Sequence, residues 1–199
     1  MTRPEPSPRL VVMGCSAGGL AALRVVLGAL PATFSLPVLI VQHRAPDSGA
    51  ALVAALARAA LLPVSDALDK QPIEGAHVVL APADYHLLVE GAHLALSVEP
   101  PVRHARPAID PLFESAAECF GAGLVAVVLT GASDDGARGA VAVRARGGRV
   151  VVQDPSEAYA AIMPAATLQR AGADLVLPLD KIGPWLAALC PHSQRTRDV

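Results

Sequence analysis

Several residue types and patterns are scarce in this sequence, and each scarcity argues against a class of protein. Aromatic residues make up 3% of the 199 residues, which leaves little material for stacking nucleic-acid bases. The net charge is −2, so no basic surface for nucleic acid or anionic lipid is expected. The three cysteines, Cys15, Cys119 and Cys190, are widely spaced and form no C-x-x-C pair. We therefore expect neither a disulfide framework nor a zinc site, and a reducing compartment fits this cysteine usage best.

Long apolar runs are also missing, although the chain is rich in apolar residues. Proline, glycine, histidine or arginine interrupts every such run before it reaches the roughly 20 residues needed to cross a bilayer. The polar, proline-rich start of the chain lacks the apolar core of a signal peptide. We therefore predict a cytoplasmic protein without membrane insertion. With 53% hydrophobic residues, it should form one well-buried domain over residues 9–191, with flexible tails at 1–8 and 192–199.

Short β-branched runs alternate with longer segments rich in alanine and leucine, a pattern typical of βαβ units. The predicted strands are Leu10–Met13, Val38–Gln42, Leu124–Leu129, Arg149–Val152 and, at an edge, Asp174–Leu177. The predicted helices are Gly18–Leu30, Gly49–Leu61, Gly136–Arg146, Pro164–Arg170 and Lys181–Cys190. The alternation predicts an α/β fold with a doubly wound, mostly parallel sheet and helices on both faces, a Rossmann-like three-layer sandwich.

The segment from His77 to Val98 departs from this alternation. Short strands are predicted at Val78–Leu80, Leu87–Val89 and Leu94–Leu96. The last two are joined around Glu90-Gly91, a spacing typical of a β-hairpin. We expect this hairpin to pack beside the main sheet.

The turn after the first strand carries the first candidate for chemistry. In open parallel sheets ligands bind beyond the carboxyl ends of the strands, and Gly14-Cys-Ser-Ala-Gly18 matches the G-x-S-x-G pattern of a nucleophilic serine there. A helix N-terminus at this point could stabilise an oxyanion beside Ser16. A dinucleotide-binding loop is disfavoured, because Ser16 replaces its middle glycine and the second strand offers His43 instead of a ribose-binding acid. One alternative stays open, in which Ser16 only caps the helix.

A histidine follows the neighbouring strand. His43 comes directly after Gln42, so it can reach Ser16 from the adjacent strand end and act as its general base. A surface histidine with no catalytic part is the alternative. Structural or solvent-exposed positions are expected for the remaining histidines, which are His77, His86, His93, His104 and His192.

Three acids compete to orient His43, namely Asp134, Asp135 and Asp154, and their spacing does not rank them. Each could instead cap the helix that follows it. The order of the candidates along the chain is serine, histidine, aspartate. An α/β-hydrolase has the order serine, acid, histidine, so the common lipase and esterase fold is disfavoured.

Short blocks of sequence stand in a fixed order along the chain from about Arg9 to Leu189. They are Val12–Leu23, Val41–Arg44, Leu80–His86, Arg106–Phe113, Leu129–Gly131, Asp135–Ala137, Gly147–Gly148, Gln153–Asp154 and Met163–Pro164. In this order the blocks resemble the catalytic domain of the chemotaxis protein-glutamate methylesterases, the CheB family. Each block is short, but the combination is specific.

The resemblance implies a serine hydrolase with Ser16 as nucleophile, His43 as general base and Asp135 as the third member of the triad. It implies hydrolysis of glutamate methyl esters on chemoreceptor helices, which releases methanol, and deamidation of certain receptor glutamines. It implies no metal or organic cofactor. In the acyl-transfer mechanism, the backbone N–H groups of Ala17 and Ala132 are the expected oxyanion hole.

The sequence departs from the family pattern at three places. Ala17 stands where the family usually has threonine, Ala132-Ser133 replaces Met-Gly, and the phenylalanines that usually follow the His43 segment are absent. Family members typically carry an N-terminal receiver domain, so we expect either a stand-alone domain or a fragment, with a receiver domain or another signalling protein acting in trans. The alternatives are a non-catalytic partner-binding domain of the same fold and a hydrolase of small esters or amides.

Overall fold

The computed structural model describes residues 7–45 and 51–190, and within these ranges the chain forms one large sheet and a separate hairpin. The strands are β1 (Leu10–Cys15), β2 (Val38–Gln42), β3 (Val64–Asp66), β4 (Val78–Leu80), β5 (His86–Glu90), β6 (His93–Ser97), β7 (Leu124–Val128), β8 (Arg149–Gln153) and β9 (Leu175–Leu177). The large sheet has the order β3-β4-β2-β1-β7-β8-β9, and all its neighbours pair in parallel. Strands β5 and β6 form the antiparallel hairpin.

Helices cover both faces of the sheet. They are α1 (Gly19–Gly28), α2 (Ala51–Ala57), α3 (Ile109–Phe120), α4 (Ala137–Ala145), α5 (Ile162–Arg170) and α6 (Leu179–Ala188). Side chains of α3, α4, α5 and the hairpin pack in one apolar cluster, and those of α1, α2 and α6 pack in the other. The strand β1 divides its residues between the clusters: Leu10 and Val12 belong to the first, Val11 and Met13 to the second. This alternation follows from the two-residue period of a strand and explains why β1 is apolar throughout.

The strand order places the carboxyl end of β1 at the centre of the sheet. From β1 the chain winds one way through β2 and the other way through β7, so the loops after β1 and β7 leave a crevice between them. Such a topological switch point is where open α/β sheets bind ligands. A ligand-binding site is therefore expected among the loops at this edge.

The predicted fold class is confirmed, and four details differ. The strand β4 belongs to the main sheet rather than to the region of the hairpin. The prediction omits β3, a three-residue edge strand, and α3. The helix predicted over Gly49–Leu61 is described only from Ala51 and ends at Ala57. The predicted tails fall almost entirely outside the described residues, and the domain limits remain a prediction. No described helix is long and apolar enough to cross a membrane.

Candidate active site

Ser16 lies in a tight turn between β1 and α1 that is built from small residues. Its backbone N–H donates to the carbonyl of Thr130 (3.0 Å), and its carbonyl accepts from the N–H of Gly19 (2.9 Å). Gly18 has a φ of +79°, a conformation that glycine adopts without the strain that a side chain would add. A Cβ atom at Gly14 would lie 2.5 Å from the side chain of Ile109. The turn therefore depends on glycine both for its backbone angle and for close packing.

The hypothesis that Ser16 only caps the helix is wrong. The N-cap of α1 is Gly18, and no side chain makes a capping hydrogen bond to this helix. Within the described part of the chain, the Ser16 hydroxyl has no hydrogen-bond partner, and the side chain is half-buried. The hydroxyl is thus left available for other contacts.

Gln42 ties the ends of β1 and β2 together. Its side-chain amide donates to the carbonyl of Ser16 (3.0 Å) and to the carbonyl of His43 (2.8 Å). The N–H of His43 also donates to the carbonyl of Cys15 (3.0 Å). Since Cys15 pairs with Gln42 in the parallel register, Ser16 and His43 each follow directly at adjacent strand ends.

The Cys15 thiol is a different kind of group from its neighbour Ser16. Cys15 is completely buried, and this burial raises the pKa of its thiol far above the ordinary value. The Sγ atom lies 3.1 Å from Oε1 of Gln42. Because the thiolate is the nucleophilic form, Cys15 is a core residue and not a competing nucleophile.

His43 is paired with Asp135, one of the three candidate acids. Nε2 of His43 and Oδ2 of Asp135 are 2.7 Å apart. The Asp135 side chain is fully buried, whereas the His43 side chain retains 15% exposure. This arrangement leaves Nδ1 of His43 as the ring nitrogen not engaged by the carboxylate.

The buried Asp135 carboxylate is held by backbone donors as well as by His43. Its Oδ2 accepts from the N–H of Ile109 (2.7 Å), and its Oδ1 accepts from the N–H groups of Asp110 (3.0 Å) and Gly136 (2.9 Å). Burial alone would raise the pKa of Asp135, but the hydrogen bonds from His43, Ile109 and Asp110 outweigh it and lower the pKa. Asp135 is therefore an ionised, fixed partner for the imidazole.

The other two acids lie in different surroundings. Asp134 is 47% exposed and contacts Arg103, while Asp154 accepts a hydrogen bond from the N–H of Ser156 (2.8 Å). Neither makes a hydrogen bond to His43 among the residues described. The structure therefore brings His43 together with Asp135 and not with its two rivals.

No hydrogen bond joins the Ser16 hydroxyl to the His43 ring in the part of the chain that the structure describes, although the two residues occupy adjacent strand ends. In apo structures the hydrogen bond between two catalytic side chains is often long or poorly aligned. The backbone N–H groups of Ala17 and Ala132 likewise have no acceptor among residues 7–45 and 51–190. They are available donors on either side of the crevice.

Two openings flank these residues. One, of about 380 Å³, is lined by Ser16, Gly18, Arg24 and Gln42, among others. The second, of about 450 Å³, includes His43 and is otherwise lined by residues for which the sequence predicted no role in the site. They include Arg44, Asp84, Arg103, His104 and Arg106.

The missed residues lie mainly on the loop between β6 and α3. Asp84 and Arg106 stand in two of the blocks that resemble the family, but nothing in those blocks indicates that they line the same opening as His43. Arg106 makes hydrogen bonds to Asp84 through Nε (2.9 Å) and Nη2 (2.6 Å). Among the described residues, no group of three or more histidine, cysteine, aspartate or glutamate side chains is arranged to hold a metal ion.

Comparison with known proteins identifies the family. The family model described as CheB methylesterase matches residues 11–186. The chain belongs to the CheB methylesterase family. The expected resemblance is thereby confirmed over almost the whole described length.

Individual relatives agree with this assignment. A protein of Leptospira interrogans is 39% identical over 173 residues, which cover 86% of this chain and 90% of that protein. The protein-glutamate methylesterase/protein-glutamine glutaminase 1 of Rhodospirillum rubrum is 37% identical over 188 residues, 92% of this chain and 49% of the relative. The chain thus spans about half the length of that relative. The CheB methylesterase catalytic domain of Thermotoga maritima matches with a TM-score of 0.87 and 32% identity, over 93% of this chain and 100% of that one.

Proposed function

We propose that this protein is a protein-glutamate methylesterase with protein-glutamine glutaminase activity, and that Ser16, His43 and Asp135 are its catalytic residues. The observation that carries the proposal is the 2.7 Å bond between His43 and the buried Asp135, formed at the strand end next to Ser16. A fixed carboxylate, an imidazole and a hydroxyl at one sheet edge are the parts needed for acyl transfer. The names of the relatives support the same chemistry.

The first half of the reaction forms an acyl-enzyme. Nδ1 of His43 takes the proton of the Ser16 hydroxyl while the serine oxygen attacks the γ-carbonyl carbon of the glutamate ester. Collapse of the tetrahedral intermediate breaks the bond to the methoxy oxygen, which receives the proton from His43 and leaves as methanol. With a glutamine substrate, ammonia leaves instead.

The second half regenerates the enzyme. Water attacks the acyl carbon while Nδ1 of His43 takes its proton, and the proton then returns to the Ser16 oxygen as the free glutamate is released. Asp135 fixes the ring through Nε2 and stabilises the imidazolium that forms in each half. The ring is used the opposite way round from the serine-protease arrangement, in which Nε2 meets the serine and Nδ1 the aspartate.

The oxyanion of each tetrahedral intermediate needs donors that are not already engaged. The N–H groups of Ala17 and Ala132 fit this need, because neither has an acceptor among the described residues. They belong to the backbone, so the replacement of threonine at position 17 and of methionine at position 132 leaves them in place. Donors of this type contribute about 10²- to 10³-fold in kcat.

The substrate we propose is a methylated glutamate on a chemoreceptor helix in the cytoplasm. The regulator we propose is a receiver domain or another signalling protein that acts in trans.

The direct test is methanol release from methylated receptor in membranes. Wild-type protein should release methanol, and Ser16→Ala should abolish release, by about 10⁶-fold if the residues act as a unit. Ser156→Ala is a matched control, because Ser156 lies at the same edge of the sheet but outside the proposed triad. Release by Ser16→Ala at the wild-type rate would refute the mechanism.

The same assay with a soluble ester distinguishes the alternatives. Activity on p-nitrophenyl acetate but none on methylated receptor would indicate a small-ester hydrolase. No activity on either substrate, with a folded protein, would indicate a binding domain of the same fold.

A further inference from the structure

Two buried aspartates cap the N-termini of α3 and α4 reciprocally. The carboxylate of Asp135, which precedes α4, accepts the first N–H groups of α3 at Ile109 and Asp110. The carboxylate of Asp110, which lies in the first turn of α3, accepts the N–H groups of Gly136 (2.9 Å) and Gly139 (2.7 Å) at the start of α4. Neither helix has a side-chain cap from its own N-cap residue. The first N–H groups of each helix are therefore capped by the aspartate of the other segment.

This reciprocal capping fixes the position of Asp135. Gly136 follows Asp135 directly, and its N–H is shared between Oδ1 of Asp110 and Oδ1 of Asp135. The backbone on the C-terminal side of Asp135 is thus attached to Asp110, and the N–H of Asp110 is in turn a donor to the Asp135 carboxylate. Gly136 has a φ of +90°, and a Cβ there would lie 2.9 Å from Ile109, so the segments are also in close contact.

Burying the Asp110 carboxylate at this position lowers the stability of the fold. Its side chain is fully buried, and its Oδ2 accepts no hydrogen bond in the described part of the chain. The charges that face it are Asp135, Glu114, Arg103 (Nε to Oδ2, 3.7 Å) and Arg138 (Nε to Oδ2, 3.6 Å). Burial chiefly, with the repulsion from Asp135 and Glu114, raises the pKa of Asp110 in spite of the bond from Gly139 and the attraction of Arg138. Costly buried groups of this kind concentrate at functional sites.

We propose that Asp110 is a positioning residue of the candidate active site, which holds the Asp135 turn in register with His43 through its bonds to Gly136 and Gly139. It touches neither the substrate nor the reacting atoms. The kinetic part of this inference rests on the proposed function, but the geometric part does not, since the His43–Asp135 bond is a property of the protein without substrate.

The test compares two variants. Asp110→Ala removes the oxygen that accepts the hydrogen bonds from Gly136 and Gly139, whereas Oδ1 of Asp110→Asn can still accept them. Asp174→Ala is the control. It removes a comparable bond, from the N–H of Val150 to Oδ2 of Asp174 (2.7 Å), at the amino end of β8, away from the site. Each variant is measured for kcat and KM on p-nitrophenyl acetate, for urea unfolding, and for the low-field proton NMR signal of the His43 Nε2–H.

Asp110→Ala should lower kcat by about 100-fold, the size of effect caused by a displacement of about 1 Å in an active site. KM should stay within about threefold, and the low-field signal should broaden or disappear. Asp110→Asn should restore kcat to within about tenfold of the wild type and retain the signal. Asp174→Ala should lose stability while keeping both kcat and the signal.

The inference is overturned if Asp110→Ala keeps the wild-type kcat and the low-field signal, or if Asp174→Ala loses them equally. Should Asp110→Ala not fold, Asp110→Asn decides, and a 100-fold loss with an intact signal would contradict positioning. If wild-type protein shows the low-field signal but hydrolyses no ester, the proposed function fails while the NMR comparison still tests Asp110.

Discussion

The two sides of the candidate site are built in different ways. On the serine side, the segment from Gly14 to Gly19 is short and local, and its shape depends on glycines, where there is no room for a side chain. On the acid side, Asp135 is held by charge and by backbone donors from α3, about 25 residues earlier in the chain. The serine side is therefore sensitive to added atoms, and the acid side is sensitive to lost charge and lost hydrogen-bond acceptors.

The two sides meet at Ile109. Its side chain packs against Gly14 and Gly136, and its N–H donates to Asp135. Added volume on the serine side should therefore reach the acid side through this residue. The two sides should therefore respond to opposite kinds of substitution, but displacement of Ile109 should affect both.

Of the substitutions that compare the two sides, the one that removes the charge on the acid side should have the largest effect. Asp135→Asn keeps the shape of the side chain but no longer stabilises the imidazolium or selects the tautomer of His43, and the equivalent change in a serine protease lowers kcat about 10⁴-fold. We expect a loss of similar size in methanol release, with an unchanged far-ultraviolet circular dichroism spectrum. A loss below tenfold would show that Asp135 is not part of the reacting unit.

Added volume on the serine side should have the next largest effect. Gly14→Ala places a Cβ about 2.5 Å from Ile109, and overpacking of this kind typically costs about 1–3 kcal/mol of stability. Displacement of Ile109 should also lower kcat by up to about 100-fold. Urea unfolding and ester hydrolysis measure the two effects.

Gly91→Ala is the control for this substitution. A Cβ at Gly91 would meet no atom within 4 Å, but the residue has a φ of +61°. The Gly91→Ala variant should lose about 1–2 kcal/mol of unfolding free energy from backbone strain alone, and its kcat should stay unchanged. Equal kcat losses in the two variants would show that contact with Ile109 does not matter.

A change of pH should affect the free energy of unfolding through the two buried aspartates with opposite signs. The pKa of Asp135 is lowered from 3.8 in the folded protein, so its ionised form stabilises the fold above about pH 3.8, and this contribution is lost as the pH falls below it. The pKa of Asp110 is raised from 3.8, so folding becomes less favourable as the pH rises above 3.8 and Asp110 ionises.

Urea unfolding between pH 2.5 and pH 6 tests these signs. The stability difference between wild type and Asp135→Asn should shrink as the pH falls below 3.8. The free energy of unfolding of the wild type relative to Asp110→Asn should instead fall as the pH rises above 3.8. Parallel pH curves for all three proteins would contradict the assigned shifts.

The smallest effect should come from an exposed ion pair outside both sides. Lys70, in the loop after β3, and Glu90, at the end of β5, have side chains that are 3.1 Å apart and more than half exposed, and such pairs contribute little in water. Lys70→Ala should leave Tm and kcat within experimental error. A clear loss of kcat would show that the site depends on contacts outside its two sides.

The serine side could be predicted from the sequence, and the acid side only in part. Gly14-Cys-Ser-Ala-Gly18 is a local pattern after a clear strand, so its place at the sheet edge follows from strand–helix alternation. The choice among Asp134, Asp135 and Asp154 depends on which carboxylate meets the N-terminus of α3. Spacing does not contain that information, and the family resemblance supplied it.

The omitted α3 had a readable signal. Ile109, Leu112, Phe113 and Ala116 recur at helical spacing and are all buried, and this apolar period would have predicted the helix. By contrast, the short edge strand β3 and the approach of Arg103 and Arg106 to His43 arise from tertiary contacts. No local pattern in the sequence indicates them.

The most direct test of the central claim, that Ser16, His43 and Asp135 work as one unit, is labelling with a fluorophosphonate. Intact-mass and peptide mass spectrometry should find one adduct on the wild-type protein, at Ser16. That adduct should be lost in Ser16→Ala and should form far more slowly in His43→Ala. An unlabelled wild-type protein, an adduct at Ser133 in the neighbouring opening instead, or equally fast labelling without His43 would contradict the account.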